Sequence, residues 1–243
     1  GHATITAAAG GKTGTCAVTV NPDIYVAGTD NNAAVVWKNG RTLYTLTDGK
    51  RYAGAYSVFV SDGVVYTAGV EYNGTKDVAK VWRNGTVLHS LTDGMQDAFA
   101  NSVFVSGGAV YTAGYEGNEN GWYIAKVWKD DTELHALTDG KQYADATSVY
   151  VADGDVYVCG VEEVSENVYM LRVWKNGKVL HSYTPADQKE DAWLNSISVW
   201  DGDVYTAGYD GDPAKVWKND GELYTLTANG NADSIFVYTG PER

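Results

Sequence analysis

The sequence is poor in cations, cysteine and long apolar runs. No run of about 18 apolar residues is present, so the sequence predicts no membrane-spanning helix. Lys and Arg total 18 against 31 Asp and Glu, which gives a formal net charge of −13. Nucleic acids and anionic membrane surfaces are bound through cations that neutralise phosphates. We therefore expect neither nucleic-acid binding nor direct insertion into a membrane.

Cysteine occurs only at Cys16 and Cys159. Cys159 stands at a repeated position that is Ala in four other segments, which favours a small buried side chain. A disulfide between the two cysteines stays open, although nothing in the sequence supports it. Three histidines share a position in separate repeats, so they are not predicted to converge on a metal. No cofactor is expected and no metal ligand is assigned; the acidic loops between the second and third segments of the repeats leave calcium binding open, although none has the spacing of an EF-hand.

Tyrosine and tryptophan recur with a fixed period. Five segments read Tyr, any residue, Ala or Cys, then Gly, and each is followed after a loop by Val-Trp and a polar turn. The tryptophans lie 43 to 46 residues apart, at Trp37, Trp82, Trp128, Trp174 and Trp217. In the second repeat, four short apolar segments separated by Asp-Gly and Asn-Gly span residues 57–60, 64–69, 78–82 and 86–91. A period of about 40 to 50 residues that contains four antiparallel strands is typical of a β-propeller blade.

The repeat count predicts an all-β fold, a five-bladed β-propeller of four-stranded antiparallel blades over residues 21–243. The first repeat shows strands two to four, and residues 231–238 restart the first-strand pattern after the fifth repeat. We expect this C-terminal inner strand to join the N-terminal blade and close the ring, which removes exposed sheet edges. Residues 16–20 are the alternative candidate for this strand, but they lack the small residues that precede the other first strands.

Other recurring residues have structural interpretations. The repeated Tyr and Trp are expected to pack one blade on the next. The Gly after each small residue is expected to permit a close backbone approach or a bulge. A cation two residues before four of the tryptophans is expected to extend its head to solvent or to pair with a turn carboxylate.

Residues 3–20 read ATITAAAGGKTGTCAVTV. This segment resembles the last two strands of bacterial immunoglobulin-like domains of group 2, which read as an ATITA strand, a Gly-Lys turn and a TCTVTV strand. The resemblance implies that residues 1–20 are the remnant of such a domain in a longer protein, with an extracellular or bacterial cell-surface location. Residues 21–243 are similar to propeller repeats of uncharacterised bacterial surface proteins.

The segments that lead into the first strands combine aromatic residues with Asp and Asn. Aligned on the serine that each first strand contains, the positions two and four before the serine are mostly small. Alternation with a period of two then places the intervening side chains outward, around the channel mouth. These candidate ligand-binding residues are Tyr52, Tyr56, Asp97, Phe99, Asn101, Tyr143, Asp145, Asp191, Trp193, Asn195, Asn231 and Asp233.

Aromatic faces beside Asp and Asn suit sugars, because a pyranose offers an apolar face and a rim of hydroxyls. We expect a secreted or cell-surface module, a monomer, that binds carbohydrate at this face. A surface protein is the alternative ligand, since interfaces are also enriched in Tyr and Trp. A structural spacer, whose lead-ins only cap the inner strands, stays open as well. The divergence of the lead-ins favours one asymmetric site over several equivalent ones.

Catalysis is not expected from this sequence. A glycoside hydrolase needs two carboxyl groups about 5 to 9 Å apart in a pocket, and the candidates at the mouth are Asp97, Asp145, Asp191 and Asp233. No Ser-His-Asp grouping, phosphate-binding loop or His-rich cluster accompanies them. Two strongly pKa-shifted aspartates in a deep pocket would favour a hydrolase.

Overall fold

The computed structural model describes residues 2–9, 11–19, 21–185 and 192–238, and these form only strands, turns and loops. The prediction of an all-β fold is confirmed. The chain begins with an antiparallel hairpin of β1 (His2–Ala9) and β2 (Lys12–Thr19), in which Ile5 lies opposite Cys16. Within the described ranges, no helix has the length and hydropathy of a membrane span.

Five antiparallel sheets follow, each with its strands in chain order. The first has three strands, β3 (Tyr25–Asp30), β4 (Ala33–Lys38) and β5 (Arg41–Thr45). The second has β6 (Ala53–Ser61), β7 (Val64–Tyr72), β8 (Asp77–Arg83) and β9 (Thr86–Ser90). The third has β10 (Ala98–Ser106), β11 (Ala109–Gly117), β12 (Tyr123–Lys129) and β13 (Thr132–Ala136). The fourth has β14 (Ala144–Ala152), β15 (Asp155–Ser165), β16 (Val168–Lys175) and β17 (Lys178–Tyr183). The fifth has β18 (Ala192–Trp200), β19 (Asp203–Asp210), β20 (Ala214–Lys218) and β21 (Gly221–Thr225).

The hairpin turns are built from Asn, Asp and Gly in left-handed backbone conformations. At the turn between β8 and β9, φ is 48° at Asn84 and 83° at Gly85. Two-residue hairpins need such positive φ values, which Asn and Gly adopt at low cost. The Asn84 side chain also accepts a hydrogen bond from the Val65 N–H at 2.9 Å. This contact ties the turn to the second strand of its own sheet.

The core lies between consecutive sheets. Trp128 of the third sheet is buried against the second sheet, in a cluster with Tyr66, Ala68 and Val81. Equivalent clusters contain Trp82, Trp174 and Trp217. The predicted packing role of the repeated Tyr and Trp is therefore confirmed at these boundaries. Cys159 is fully buried in this layer, as its position among alanines predicts.

The glycine after the small residue marks a close backbone approach. A Cβ placed on Gly114 would lie 1.9 Å from the carbonyl oxygen of Phe99 on the neighbouring strand. The ladder between β10 and β11 shifts register between Ala100 and Ser102, so Asn101 is an extra residue in a β-bulge. The same shift recurs in the first strands of the second, fourth and fifth sheets. Glycine is required here because a side chain would displace the bulge.

The recurring mid-strand cation pairs across its own sheet. Lys126 on β12 lies 2.6 Å from the Glu116 carboxylate on β11. The same pairing joins Lys80 to Glu71, Arg172 to Glu162 and Lys215 to Asp210. The partners are therefore strand residues, and the expectation of a turn carboxylate was wrong. Each pair is diagonal in the ladder, because the cation faces the repeated Gly and the carboxylate lies two residues further along the partner strand. Long side chains reach across this distance, and opposite charges there stabilise a sheet.

The predicted C-terminal strand is not confirmed. Residues 226–238 have no regular secondary structure, and in the described chain β3 pairs only with β4. The segment is nevertheless bound to the fifth sheet, because the Ile235 N–H donates to Ser196 Oγ at 3.1 Å. A strand needs a backbone ladder, and this contact to a side chain does not supply one.

Replacing Trp128 by Ala tests the packing between sheets. A buried aromatic side chain replaced by Ala costs about 3 to 5 kcal/mol through lost contacts and the cavity that remains. We expect this loss in the free energy of unfolding, measured by urea denaturation. Trp200→Ala is the matched control, because Trp200 is exposed at the end of β18 and should cost less than about 1 kcal/mol. Equal losses for the two variants would contradict the assigned core.

Candidate functional site

The lead-in segments run between neighbouring sheets, at the edge where β7, β11, β15 and β19 end. Their small residues are buried as predicted in the second to fifth sheets, from Ala53 and Ala55 to Ala192 and Leu194. The last pair, Gly230 and Ala232, is exposed or half-buried. The lead-ins therefore present one side to the core and the other to the rim of the molecule, and the rim holds the candidate residues.

Aromatic rings form a continuous row along this rim. Adjacent ring centroids are 6.1 Å apart from Tyr56 to Phe99, and 5.1 Å from Phe99 to Tyr115. The row continues to Tyr123 at 4.6 Å, to Tyr143 at 5.8 Å and to Trp193 at 6.2 Å. Contacts of this kind stabilise rings at about 4.5 to 7 Å. We call these six residues the aromatic row. It crosses from the second sheet to the fifth.

One end of the aromatic row is open to solvent. Tyr56 is 42% exposed, and its neighbour Tyr52 is 44% exposed. The two hydroxyls are 3.1 Å apart, within hydrogen-bond distance. Burial and the neighbouring Tyr52 raise the pKa of Tyr56 above its ordinary range. The pair presents both an apolar face and hydroxyl groups to solvent.

Sequence reasoning missed two members of the row, Tyr115 and Tyr123. Neither lies in a lead-in: Tyr115 follows Gly114 on β11, and Tyr123 begins β12. Both stand in or beside the loop between the second and third strands of the third sheet. For Tyr115, an aromatic residue directly after the repeated Gly was the available signal, and Tyr123 has no such signal.

Asp97 forms an ion pair and a hydrogen bond with residues of the adjacent sheet. Its carboxylate lies 2.8 Å from Lys76 Nζ and accepts the Asp77 N–H at 3.0 Å. Partial burial opposes its ionisation, but the ammonium and the N–H outweigh burial and lower the pKa of Asp97. Asp97 therefore bridges the second and third sheets rather than facing solvent alone.

Asp145 departs from the predicted outward direction. It is only 8% exposed, because β14 holds it between the third and fourth sheets below the aromatic row. Asn101 donates its amide to the carboxylate at 2.7 Å and to the Ala146 carbonyl at 3.1 Å. Burial raises the pKa of Asp145 to about 7, and the Asn101 amide only partly offsets this effect. The outward prediction fails because the side of β14 opposite Ala144 and Ala146 is covered by the third sheet, whose Asn101 contacts Asp145.

The remaining candidates lie toward the C-terminal end. Asn195 donates to the Ala232 carbonyl at 3.2 Å, which repeats the bond from Asn101 to Ala146 two boundaries further on. Asn101 and Asn195 thus tie lead-ins together, as the structural alternative expects. Asn231 and Asp233 are exposed. Asp191 lies outside the described residues.

Asp97 and Asp145, two of the candidate acids within the described residues, do not form a coupled pair. The pKa of Asp145 is raised by burial, without a contribution from a second carboxylate. Asp97 has a lowered pKa and an ion pair with Lys76. The condition that would favour a hydrolase, two strongly shifted aspartates, is not met by these two. Across the described ranges, no three His, Cys, Asp or Glu side chains are grouped so as to hold a metal ion.

Comparison of the chain with protein-family models and with curated proteins found no match. The resemblance of residues 1–20 to an immunoglobulin-like domain, and of residues 21–243 to known propeller repeats, therefore stays a prediction. Any assignment of function depends on the geometry of the rim.

Replacing Asp145 by Asn tests its burial through pH. Between pH 4 and 7 the folded protein keeps a proton on Asp145 that the unfolded chain releases, so stability falls as pH rises through this range. Asn carries no charge, so Asp145→Asn should raise the melting temperature at pH 8 and change it little at pH 4.

The matched control is Asp97→Asn. The pKa of Asp97 is lowered, so its contribution to stability is present at pH 8 and is lost as pH falls. This variant should lower the melting temperature at pH 8. A loss of stability at pH 8 in Asp145→Asn would show that Asp145 is not a desolvated acid.

Proposed function

We propose that this chain is a binding module that recognises carbohydrate at the aromatic row. The observation that supports this proposal is the row itself, in which six contacting rings extend over four sheets. At one end of the row, Tyr56 and the neighbouring Tyr52 are exposed. Sugar rings stack their C–H faces on such aromatic side chains, while the Tyr hydroxyls and nearby polar groups form hydrogen bonds with the sugar hydroxyls.

Several contacts favour a pre-formed site. Stacking of Phe99 on Tyr115 and the bonds of Asn101 and Asp97 hold the row in place before any ligand binds. A rigid site loses less conformational entropy on binding, so less of the stacking energy is offset. The row also differs at each sheet, which supports one extended, asymmetric site for an oligosaccharide chain rather than several copies of one pocket.

The proposed architecture is a closed five-bladed propeller. The support comes from the first and fifth sheets. Apolar residues at their outer faces are exposed, whereas the equivalent residues of the other sheets are buried. Ile24 of the first sheet is 60% exposed, whereas the matching valines of the other sheets are 2% to 6% exposed. Leu226 after the fifth sheet is 54% exposed, whereas the matching leucines are 7% to 9% exposed. Apolar surface of this extent favours mutual burial of the two faces.

The C-terminal segment has the contacts of an inner strand toward the preceding sheet. At three earlier boundaries, Ser57, Ser102 and Ser148 accept the N–H of a residue on the next first strand. Ser196 accepts the Ile235 N–H in the same way. This contact supports the proposal that residues 231–238 take the place of a first strand, and pairing with β3 would complete the first sheet.

The proposed setting is extracellular or on a bacterial cell surface. It is supported by the resemblance of residues 3–20 to the end of a surface-protein domain, and by a hairpin of the corresponding strands. A protein ligand at the same rim is the rival proposal, and the binding experiment separates the two.

A glycan array, probed with calcium and again with a chelator, tests the proposed ligand class. We expect binding to a defined class of sugar, reduced at least tenfold by Trp193→Ala because an aromatic stacking surface is removed. Trp200→Ala is the matched control, since Trp200 lies at the other end of the same strand and should leave binding unchanged. A blank array in both conditions would contradict carbohydrate binding and move the proposal to a protein partner.

Removal of residues 233–243 tests ring closure. The truncated chain should melt at a sharply lower temperature, because the apolar end faces lose the segment between them. A synthetic peptide of residues 231–243 should restore part of the melting temperature, and a scrambled peptide should not. An unchanged melting temperature on truncation would rule out closure by strand donation.

A further inference from the structure

An open groove of about 430 Å³ lies between the first and second sheets, beside the exposed end of the aromatic row. It adjoins the row directly, since the Tyr72 N–H donates to the Tyr52 carbonyl at 2.9 Å. Its charged lining consists of three cations and two carboxylates, Lys50, Arg51, Lys80, Asp48 and Glu71. In a chain of net charge −13, this is a local excess of positive charge.

The two lysines of the groove are already paired. Lys50 lies 2.8 Å from Asp48, and Lys80 lies 2.5 Å from Glu71. Arg51 is different, because in the described part of the chain no carboxylate lies within ion-pair distance of its guanidinium. Its contact is with the Asn73 carbonyl, and the guanidinium lies over Gly74. Arg51 therefore keeps N–H donors for a further acceptor.

Asn73 holds the loop on which Arg51 rests. Its side-chain oxygen accepts the backbone N–H groups of Thr75 and Lys76, at 2.8 and 2.9 Å. Its amide donates to the Gly94 carbonyl at 3.1 Å. The guanidinium is thus positioned by a folded loop rather than by solvent alone, which reduces the entropy lost when it binds an anion.

Arg51 occurs at one boundary only. The repeats place Gln96 and Gln142 at the equivalent positions, directly before Asp97 and Tyr143. A structural tie that every boundary needs would recur, as the serine and glycine contacts do. The cation therefore distinguishes this end of the row from the other boundaries, and it stands next to Tyr52.

We propose that the groove binds the carboxylate of an acidic sugar, a uronic acid, within a glycan whose rings stack on Tyr52 and Tyr56. The inference rests on the proposed carbohydrate function and names its ligand class. A guanidinium presents paired N–H donors that match the two oxygens of a carboxylate, and the flat tyrosines beside it accept the sugar ring. The hydroxyl of a neutral sugar lacks the negative charge that would pair with the Arg51 guanidinium.

The test compares oligogalacturonate with its fully methyl-esterified form, which keeps the sugar rings and removes the charge. Isothermal titration calorimetry should give at least about tenfold tighter binding of the acid at low salt, since hydrogen bonds between ions are the stronger kind. The preference should shrink as NaCl is raised, because salt screens charges but not stacking.

Arg51→Gln introduces the residue that two other repeats carry and should abolish the preference while leaving ester binding and the melting temperature unchanged. Arg51→Lys should keep part of the preference, which guards against a folding defect of the Gln variant. Lys141→Met introduces the residue that another repeat carries at the equivalent position, Met95. It is the matched charge control and should keep the preference.

The results of these titrations separate the acidic-sugar inference from the proposed carbohydrate function. Equal affinity for acid and ester, or a preference that survives Arg51→Gln, would overturn the acidic-sugar inference and leave carbohydrate binding standing. Binding of neither form, together with a blank glycan array, would overturn the proposed function as well.

Discussion

The structure depends on the packing of one sheet's tryptophan against the preceding sheet. Trp82, Trp128, Trp174 and Trp217 are each buried on the small and branched residues of the sheet before them. Each burial removes a large apolar area from water, which is the dominant favourable term in folding. Because both faces of an inner sheet are covered, its strands are apolar on both sides. The loops at the rim are then free to differ, and the differences create the aromatic row.

The same packing applies to the first and fifth sheets, each of which has a face that no neighbouring sheet covers. Ile24 and Leu226 occupy positions that are covered at every other boundary, yet they remain exposed. The first sheet also lacks a strand, and residues 231–238 lie beside the fifth sheet without a ladder of their own. The proposed closure of the ring would satisfy both deficits in one step. It would also place the groove at Arg51 and the row within one continuous rim.

Much of the fold could be predicted from the sequence because the signals are local and repeated. The Asn-Gly turn at Asn84, the Trp128 position and the apolar strands each follow from a short pattern. The site was harder, because its contacts join residues from different repeats. Alternation along β14 does separate Asp145 from Ala144 and Ala146, but the third sheet covers that side through Asn101, so Asp145 is buried. Tyr115 and Tyr123 enter the row through pairing within the third sheet, where Tyr115 lies opposite Phe99, a register that the sequence alone does not reveal.

Amide hydrogen exchange of β3, measured by mass spectrometry on the native chain, tests closure of the ring most directly. About half of the N–H groups of a strand point to each neighbour, so β3 has donors that β4 leaves unpaired. With the ring closed, we predict that the whole of Tyr25–Asp30 exchanges as slowly as Val64–Tyr72, which is paired on both sides. Exchange of the outer half of β3 within seconds, beside a slow Val64–Tyr72, would contradict closure.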